Sequence, residues 1–205
     1  QADVGASPLN TLAKRGIVEI FIQDVDRDPL RDAKLPKRDD FTLTAEQQTA
    51  LDAITAAIEE TDKFKAFLLH GVTGSGKTEV YLRAIEATLA QGEQALMLVP
   101  EIALTPQLEN RVRARFPSAH LVIANSSVAD AARARGFLDA LSGDADIVLG
   151  TRLAIFTPLP RLRLIIVDEE HDASFKQQDG VRYSARDLAI WRAHQQNCPI
   201  VLGSA

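Results

Sequence analysis

From residue 41 onward, short runs of apolar residues alternate with longer segments whose apolar positions recur at helical spacing. The longer segments predict helices near residues 45–60, 77–90, 105–116, 128–141 and 185–196. The apolar runs predict buried strands at residues 67–69, 95–99, 121–124, 147–149, 164–167 and 200–202. Strands that are apolar on both faces and alternate with helices are typical of a parallel sheet covered by helices on both sides. The pattern therefore predicts an α/β fold.

The first forty residues follow a different pattern. Residues 7–16 predict a short helix, residues 17–22 a strand, and residues 24–40 a linker, because that last segment is dense in charge and contains two prolines. We expect an appendage with a charged linker at residues 1–40 and the main domain at 41–205. Because the chain lacks an initiating methionine and stops just after an apolar run, we also expect it to be part of a longer protein.

Composition narrows the class of protein. The chain has 205 residues, of which 46% are hydrophobic and 25% charged, values close to those of globular proteins. We find no apolar run long enough to cross a membrane and no signal peptide, so we expect a cytoplasmic protein. The single cysteine excludes an internal disulfide and makes a cysteine-based zinc site implausible. The net charge of −5 provides no global attraction for nucleic acid, so binding to it requires local basic patches.

Residues 71–78 match the phosphate-binding pattern G-x-x-x-x-G-K-[ST] in full, and they lie between a predicted strand and a predicted helix. Glycines allow backbone N–H groups to converge on phosphate oxygens, and the helix N-terminus adds positive potential. We expect Lys77 to reach the β and γ phosphates of ATP and the Thr78 hydroxyl to bind Mg²⁺. The predicted nucleotide-binding residues are Gly71, Val72, Thr73, Gly74, Ser75, Gly76, Lys77 and Thr78.

Two carboxylates follow the buried strand at 164–167. We expect Asp168 to hold Mg²⁺, directly or through water, and Glu169 to orient or deprotonate the attacking water. His171 is expected to relay the state of the γ-phosphate to neighbouring loops. Lys77, Asp168, Glu169 and His171 are therefore the candidate catalytic residues.

Gln47 has two interpretations. Thr44 followed three residues later by glutamine is typical of a capping box at a helix start. The amide of Gln47 could also recognise adenine through its paired donor and acceptor. The two roles are compatible, on different rotamers.

Five segments together resemble motifs I, Ia, Ib, II (a DEAH-type box) and the start of motif III of superfamily 2 DNA helicases: residues 71–81, 99–107, 147–152, 168–171 and 202–205. The stretch 168–187 more specifically resembles the PriA family of bacterial primosomal, replication-restart helicases. The resemblance covers residues 41–205, and residues 7–30 more loosely. At Asn125–Ser127 and at Leu153 the chain departs from the family's pattern.

The resemblance implies that residues 41–205 are the first RecA-like motor lobe, truncated at motif III, and that residues 1–40 contain part of a winged-helix domain. Such proteins are ATP-driven 3′-to-5′ DNA helicases that act on forked and single-stranded DNA with primosome proteins and single-strand-binding protein. It also implies a bacterial cytoplasmic monomer whose zinc-binding cysteines lie outside these residues. The isolated lobe is expected to be nearly inactive, since arginine fingers come from a second lobe.

The resemblance also implies residues that contact or sense DNA. Thr105, Gln107, Thr151 and Arg152 match segments along the single strand. Residues 172–187 match a loop that couples DNA binding to hydrolysis. In that loop Phe175 and Tyr183 are expected to stack on bases, and Lys176, Arg182 and Arg186 to supply positive charge. Core packing of Phe175 and a helix cap at Ser184 are the alternative interpretations.

Two other functions remain open from the residues themselves. One is a different superfamily 2 DNA translocase, which the resemblance at 172–187 disfavours. The other is a binding module that nucleotide regulates without turnover, which the presence of Glu169 disfavours.

Overall fold

The structure is a computed structural model that describes residues 42–205, within a compact unit that spans residues 35–205. The predicted winged-helix segment and linker at 1–40 lie outside the described residues. The helices are α1 (Ala45–Glu59), α2 (Lys77–Ala90), α3 (Pro106–Arg115), α4 (Asp130–Ser142) and α5 (Ala185–Gln195). The strands are β1 (Lys65–His70), β2 (Gln94–Leu98), β3 (Leu121–Ala124), β4 (Ile147–Gly150), β5 (Leu162–Val167), β6 (Lys176–Gln177), β7 (Tyr183–Ser184) and β8 (Pro199–Ser204).

Six strands form one parallel sheet in the order β1-β8-β5-β2-β4-β3. Residues on one face pack with α1, α2 and α3, and residues on the other face pack with α4 and α5. Strands β2, β4 and β5 are buried along their whole length, which explains why nearly all their positions, with the exceptions of Gln94 and Arg163, are apolar rather than only alternate ones. The predicted α/β fold is confirmed.

The helices begin where the sequence predicts. Thr44 and Gln47 form the capping box of α1, and Thr105 caps α3 with proline at its first turn. The Ser184 side chain accepts a hydrogen bond from the backbone of Asp187, so the predicted cap of α5 is also confirmed. Each cap satisfies a backbone N–H that has no partner within its own helix.

The last turn of α1 is held by a buried cation. Arg163, on β5, donates hydrogen bonds to the backbone oxygens of Ala57, Ile58 and Glu60 and to that of Asn197. The carbonyl groups of Ala57, Ile58 and Glu60 lie at the end of α1, where they have no partner within the helix. One side chain therefore ties α1 to the central sheet.

A small hairpin inside the segment 172–187 was not predicted. Strands β6 and β7 pair in antiparallel fashion, with Lys176 opposite Ser184 and Gln177 opposite Tyr183. Two short 3-10 helices, Arg152–Phe156 and Ala173–Phe175, also carry no clear periodic signal in the sequence. Within residues 42–205, none of the helices combines the length and the apolar character that a membrane crossing needs.

Candidate functional site

The predicted phosphate loop connects the end of β1 to the start of α2. Gly74 and Gly76 have φ angles of 82° and 85°, a left-handed conformation that favours glycine. The backbone N–H of Gly71 donates to the carbonyl of Ser204 at 3.0 Å, so the β1–β8 ladder continues into the loop. The loop therefore has the conformation that its glycines predict, and it is anchored on β8.

Lys77 occupies the first turn of α2 and is almost completely buried. Its ammonium donates to the carbonyl of Gly71 and lies 3.4 Å from Oε1 of Glu169. The ammonium thus lies between the phosphate loop and the carboxylates that follow β5. A phosphate group bound on the loop would lie next to this ammonium.

Asp168 lies where β5 ends, and its backbone N–H donates to Leu98 on β2. One carboxylate oxygen, Oδ1, accepts the hydroxyl of Tyr81 at 3.0 Å and the backbone N–H of Glu169 at 3.1 Å. Burial raises the pKa of Asp168 above its ordinary value, and the hydrogen bond from Tyr81 opposes that rise. Tyr81 was not singled out in the sequence, because its aromatic side chain fits the apolar face of a helix.

Glu169 has a φ angle of 46°, which is unusual for a residue other than glycine. In this conformation its carboxylate reaches Lys77 on one side and lies 3.8 Å from Nε2 of His171 on the other. The other ring nitrogen of His171 lies 3.5 Å from Oγ of Ser204. His171 therefore lies between Glu169 and the end of β8, and its expected relay role stays a prediction.

Gln47 contacts the phosphate loop directly. Its side-chain nitrogen donates to the carbonyl of Ser75 at 2.7 Å, and its side-chain oxygen accepts the backbone N–H of Thr44. The capping-box interpretation is thus confirmed, whereas adenine recognition stays a prediction. A Cβ atom at Gly76 would lie 2.5 Å from this amide, so the close approach of Gln47 depends on glycine there.

Many of these groups, though not Gly71, Tyr81, His171 or Ser204, line one cleft of about 530 Å³. Its walls include residues 73–79 of the loop and helix, Asp168 and Glu169, and residues 42–44 and 47 at the entrance to α1. Arg111 of α3 also lines the cleft, and its guanidinium lies 3.7 Å from the carboxylate of Glu79. The sequence did not identify Arg111, because an arginine on a charged amphipathic helix carries no distinguishing signal.

The donors in the cleft suit a divalent cation held jointly with phosphate. Within residues 42–205, no cluster of three or more acidic, histidine or cysteine residues could hold a metal ion by itself. Mg²⁺ is usually bound by one or two protein oxygens together with phosphates and water. Thr78 and Asp168, which both line the cleft, fit that requirement.

The residues expected to contact DNA differ in accessibility. Thr105, Gln107, Lys176 and Arg182 are exposed, and Tyr183 is half-buried. The Thr105 hydroxyl accepts the backbone N–H of Leu108, so it is engaged as a helix cap. These positions leave polar or aromatic surface available to a nucleic acid.

Other residues expected to contact DNA are engaged by the protein itself. Phe175 is only 1% exposed and packs in the core, so its expected stacking role is wrong in this structure, and the core-packing alternative holds. Thr151 is likewise buried, and its expected contact with the DNA backbone stays a prediction. Arg152 donates to the carbonyls of Ser174 and Lys176, and Arg186 pairs with Glu170 and Asp187.

An exposed aromatic ring that the sequence analysis missed lies beside the hairpin. Phe156 is 56% exposed, and its ring meets that of Tyr183 edge to face, with centroids 5.1 Å apart. Arg152 occupies the same 3-10 helix, and Lys176 and Arg182 belong to the hairpin. The combination of an aromatic pair with nearby cations is typical of surfaces that bind single strands. Exposure, which sequence alone does not give, distinguishes Phe156 from Phe175.

Comparison with known proteins gives three findings. A family described as DEAD/DEAH box helicase matches residues 44–205. The chain is 42% identical over 205 residues to the replication restart protein PriA of Bacillus subtilis, covering all of the chain and 25% of that protein. It is 51% identical over 142 residues to the protein of the same name from Haemophilus influenzae, covering 69% of the chain and 19% of that protein.

Solved structures agree on the fold. RecG bound to a three-way DNA junction matches 80% of the chain and 21% of its own length, with a TM-score of 0.60 and 23% identity. The UvsW helicase from bacteriophage T4 matches 98% of the chain and 70% of its own length, with a TM-score of 0.53 and 14% identity. The chain spans about a quarter of the length of the curated relatives it matches.

Proposed function

We infer the function from one premise: the chain belongs to the DEAD/DEAH box helicase family. We propose that it is the ATP-binding lobe of an ATP-dependent 3′-to-5′ DNA helicase that acts at stalled or forked DNA in replication restart. The names of the relatives, replication restart protein, support the biological setting.

The observation that carries this proposal is a convergence at one edge of the sheet. The phosphate loop after β1, the carboxylates after β5 and the end of β8 meet around Lys77. Ligands of open parallel sheets bind at the carboxyl ends of the strands. ATP bound here would place its phosphates on the loop and on Lys77, with adenine near Gln47 at the entrance to α1.

The residues around the phosphates have distinct tasks in hydrolysis. Glu169 holds or deprotonates the attacking water, and Lys77 stabilises charge on the transferred phosphoryl group. His171 connects Glu169 to Ser204 and so relays the state of the site to β8. Thr78 and Asp168 hold Mg²⁺, which neutralises phosphate charge when it is bound.

We place the DNA path along α3 and the β6–β7 hairpin. Thr105 and Gln107 at the start of α3, together with Lys176 and Arg182 on the hairpin, offer exposed polar and cationic groups. Tyr183 and the neighbouring Phe156 offer aromatic surface for bases. Arg152 and Arg186 are proposed to couple this region to the nucleotide site, because Arg152 donates to Ser174 just before the hairpin and Arg186 pairs with Glu170 beside Glu169.

Further features of the complete protein belong to the same proposal. They are a winged-helix segment within residues 1–40, a RecA-like lobe from residue 41, a monomeric state and a bacterial cytoplasmic location. Primosome proteins and single-strand-binding protein are the proposed partners, and any zinc site lies outside these 205 residues. Alone, this lobe is expected to hydrolyse ATP poorly and not to unwind DNA, because a missing arginine finger costs about 10³–10⁵ in rate.

The test is ATP hydrolysis by the full-length protein with and without single-stranded DNA, and Lys77→Ala is the control. Strong stimulation by DNA that the control loses supports a nucleic-acid motor. Hydrolysis that is indifferent to DNA would contradict the proposal and favour a nucleotide-regulated binding module.

A further inference from the structure

A buried hydroxyl contacts the carboxylate proposed to hold the cation. Tyr81 lies one helical turn after Lys77 in α2 and is 0% exposed. Its hydroxyl donates to Oδ1 of Asp168 at 3.0 Å. Because water does not reach this ring, the hydrogen bond is held by the packing of the whole helix against the sheet.

The two donors to Asp168 share one oxygen. Besides Tyr81, the backbone N–H of Glu169 reaches Oδ1, at 3.1 Å. Among residues 42–205 no protein donor reaches Oδ2. Since Asp168 lines the nucleotide cleft, Oδ2 is the oxygen left for a ligand there.

Gly203 of β8 leaves the space in which the Tyr81 hydroxyl and the Asp168 carboxylate meet. A Cβ atom built at this glycine would lie 1.8 Å from the Tyr81 hydroxyl oxygen and 2.9 Å from Oδ1 of Asp168. Gly203 is not among the residues with positive φ, so its backbone would accept an alanine. It is the space taken by the Tyr81 hydroxyl and the Asp168 carboxylate that excludes a larger residue.

We propose that Tyr81 is a positioning residue for Asp168: its hydroxyl holds Oδ1 against the protein and thereby presents Oδ2 to the cation bound with the nucleotide. This inference rests on the proposed function, because it assumes that Asp168 holds the cation. Carboxylates that bind metals depend on such outer hydrogen bonds, whose loss typically weakens metal affinity about 10- to 100-fold.

The test uses Tyr81→Phe in the full-length protein, since phenylalanine keeps the ring and removes only the hydroxyl. Binding of a fluorescent ATP analogue is followed in EDTA and then at increasing Mg²⁺. We expect the Mg²⁺ concentration at half-saturation to rise about tenfold, while affinity for the analogue in EDTA stays at the wild-type value. An unchanged Mg²⁺ midpoint, or an equal loss with and without Mg²⁺, would overturn the proposal.

Thr88→Val is the matched control, because Thr88 is also buried in α2 and its hydroxyl bonds within the helix, to the carbonyl of Ala84. We expect its Mg²⁺ midpoint to match the wild type, and a shift as large as that of Tyr81→Phe would overturn the specific role of Tyr81. Failure of the proposed function would look different: the wild-type protein itself would bind the analogue no better than Lys77→Ala does.

A double substitution tests the geometry without any nucleotide. Gly203→Ala should lower the melting temperature, because its methyl group collides with the Tyr81 hydroxyl. In the Tyr81→Phe background Gly203→Ala should lower the melting temperature clearly less. The 1.8 Å contact with the hydroxyl is then absent, and the next atoms, Oδ1 of Asp168 and Cζ of the ring, lie 2.9 and 3.0 Å from the new Cβ. Equal losses in both backgrounds would show that Tyr81 and Gly203 do not compete for this space.

Discussion

The ammonium of Lys77 and the carboxylate of Glu169 lie 3.4 Å apart, and the exposed fractions of their side chains are only 9% and 27%. In the proposed function both residues face the γ-phosphate, so the ion pair between them holds both side chains in place before nucleotide binds. A substitution at Glu169 therefore acts on turnover and on Lys77 together.

We expect Glu169→Gln to keep ATP bound and to stop turnover. The amide preserves the shape of the side chain but cannot take a proton from water, and it no longer competes with phosphate for Lys77. Hydrolysis should fall about 10²- to 10⁴-fold, the usual contribution of a general base. Equilibrium binding and single-turnover assays on the full-length protein separate the two effects. Loss of binding with unchanged turnover per bound ATP would contradict this expectation.

Alanine at position 156 and alanine at position 175 should change different properties, DNA binding in the first case and stability in the second. Phe156→Ala removes an exposed ring, so we expect weaker binding of single-stranded DNA, by about 1–3 kcal/mol, with little change in stability. Phe175→Ala removes a core ring, so we expect the free energy of unfolding to fall by about 3–5 kcal/mol. Fluorescence anisotropy with labelled DNA and urea denaturation measure the two quantities. Normal DNA affinity in Phe156→Ala would exclude the ring from the DNA path.

Arg163→Ala should destabilise the fold because it leaves carbonyls at the end of α1 without partners. We expect the free energy of unfolding to fall by about 3 kcal/mol, as is usual when buried groups lose charged donors. Arg161→Ala is the matched control, because the Arg161 side chain also donates only to backbone carbonyls, two rather than four, but from an exposed position. Urea denaturation compares them, and equal losses would contradict the role of burial.

Because of Cys198, the free energy of unfolding should fall as the pH rises above 9. Burial raises the pKa of its thiol from 9.0 to about 11. The folded chain then binds a proton that the unfolded chain releases, so this contribution is intact below pH 9 and is lost as the pH rises towards 11. We expect a loss of about 2 kcal/mol over that range.

Urea denaturation at several pH values, with Cys198→Ala for comparison, measures this contribution. The variant should lose less stability between pH 9 and 11 than the wild type. Identical pH profiles for the two proteins would show that the thiol does not contribute.

Much of the fold could be predicted from sequence, because the physical signals were local. Buried strands contain continuous apolar runs, such as residues 164–167 of β5, and the caps at Thr44, Thr105 and Ser184 are read from residues close together in the chain. The phosphate loop is likewise a contiguous motif. These features need no knowledge of tertiary contacts.

The remaining features depend on contacts between distant segments. The hydrogen bond from Tyr81 to Asp168 joins residues that are 87 positions apart, and no local sequence pattern near Tyr81 predicts it. Phe156 and Phe175 are the same residue type in similar 3-10 helices, yet only packing decides that one is exposed and the other buried.

The crowding around Gly203 also constrains the order in which this chain can change during evolution. A methyl group at position 203 and a hydroxyl at position 81 cannot occupy the same space. A lineage can therefore acquire alanine at 203 at small cost only after the hydroxyl at 81 has been lost. In this geometry the two positions form an epistatic pair, because the cost of a methyl group at 203 depends on the residue at 81.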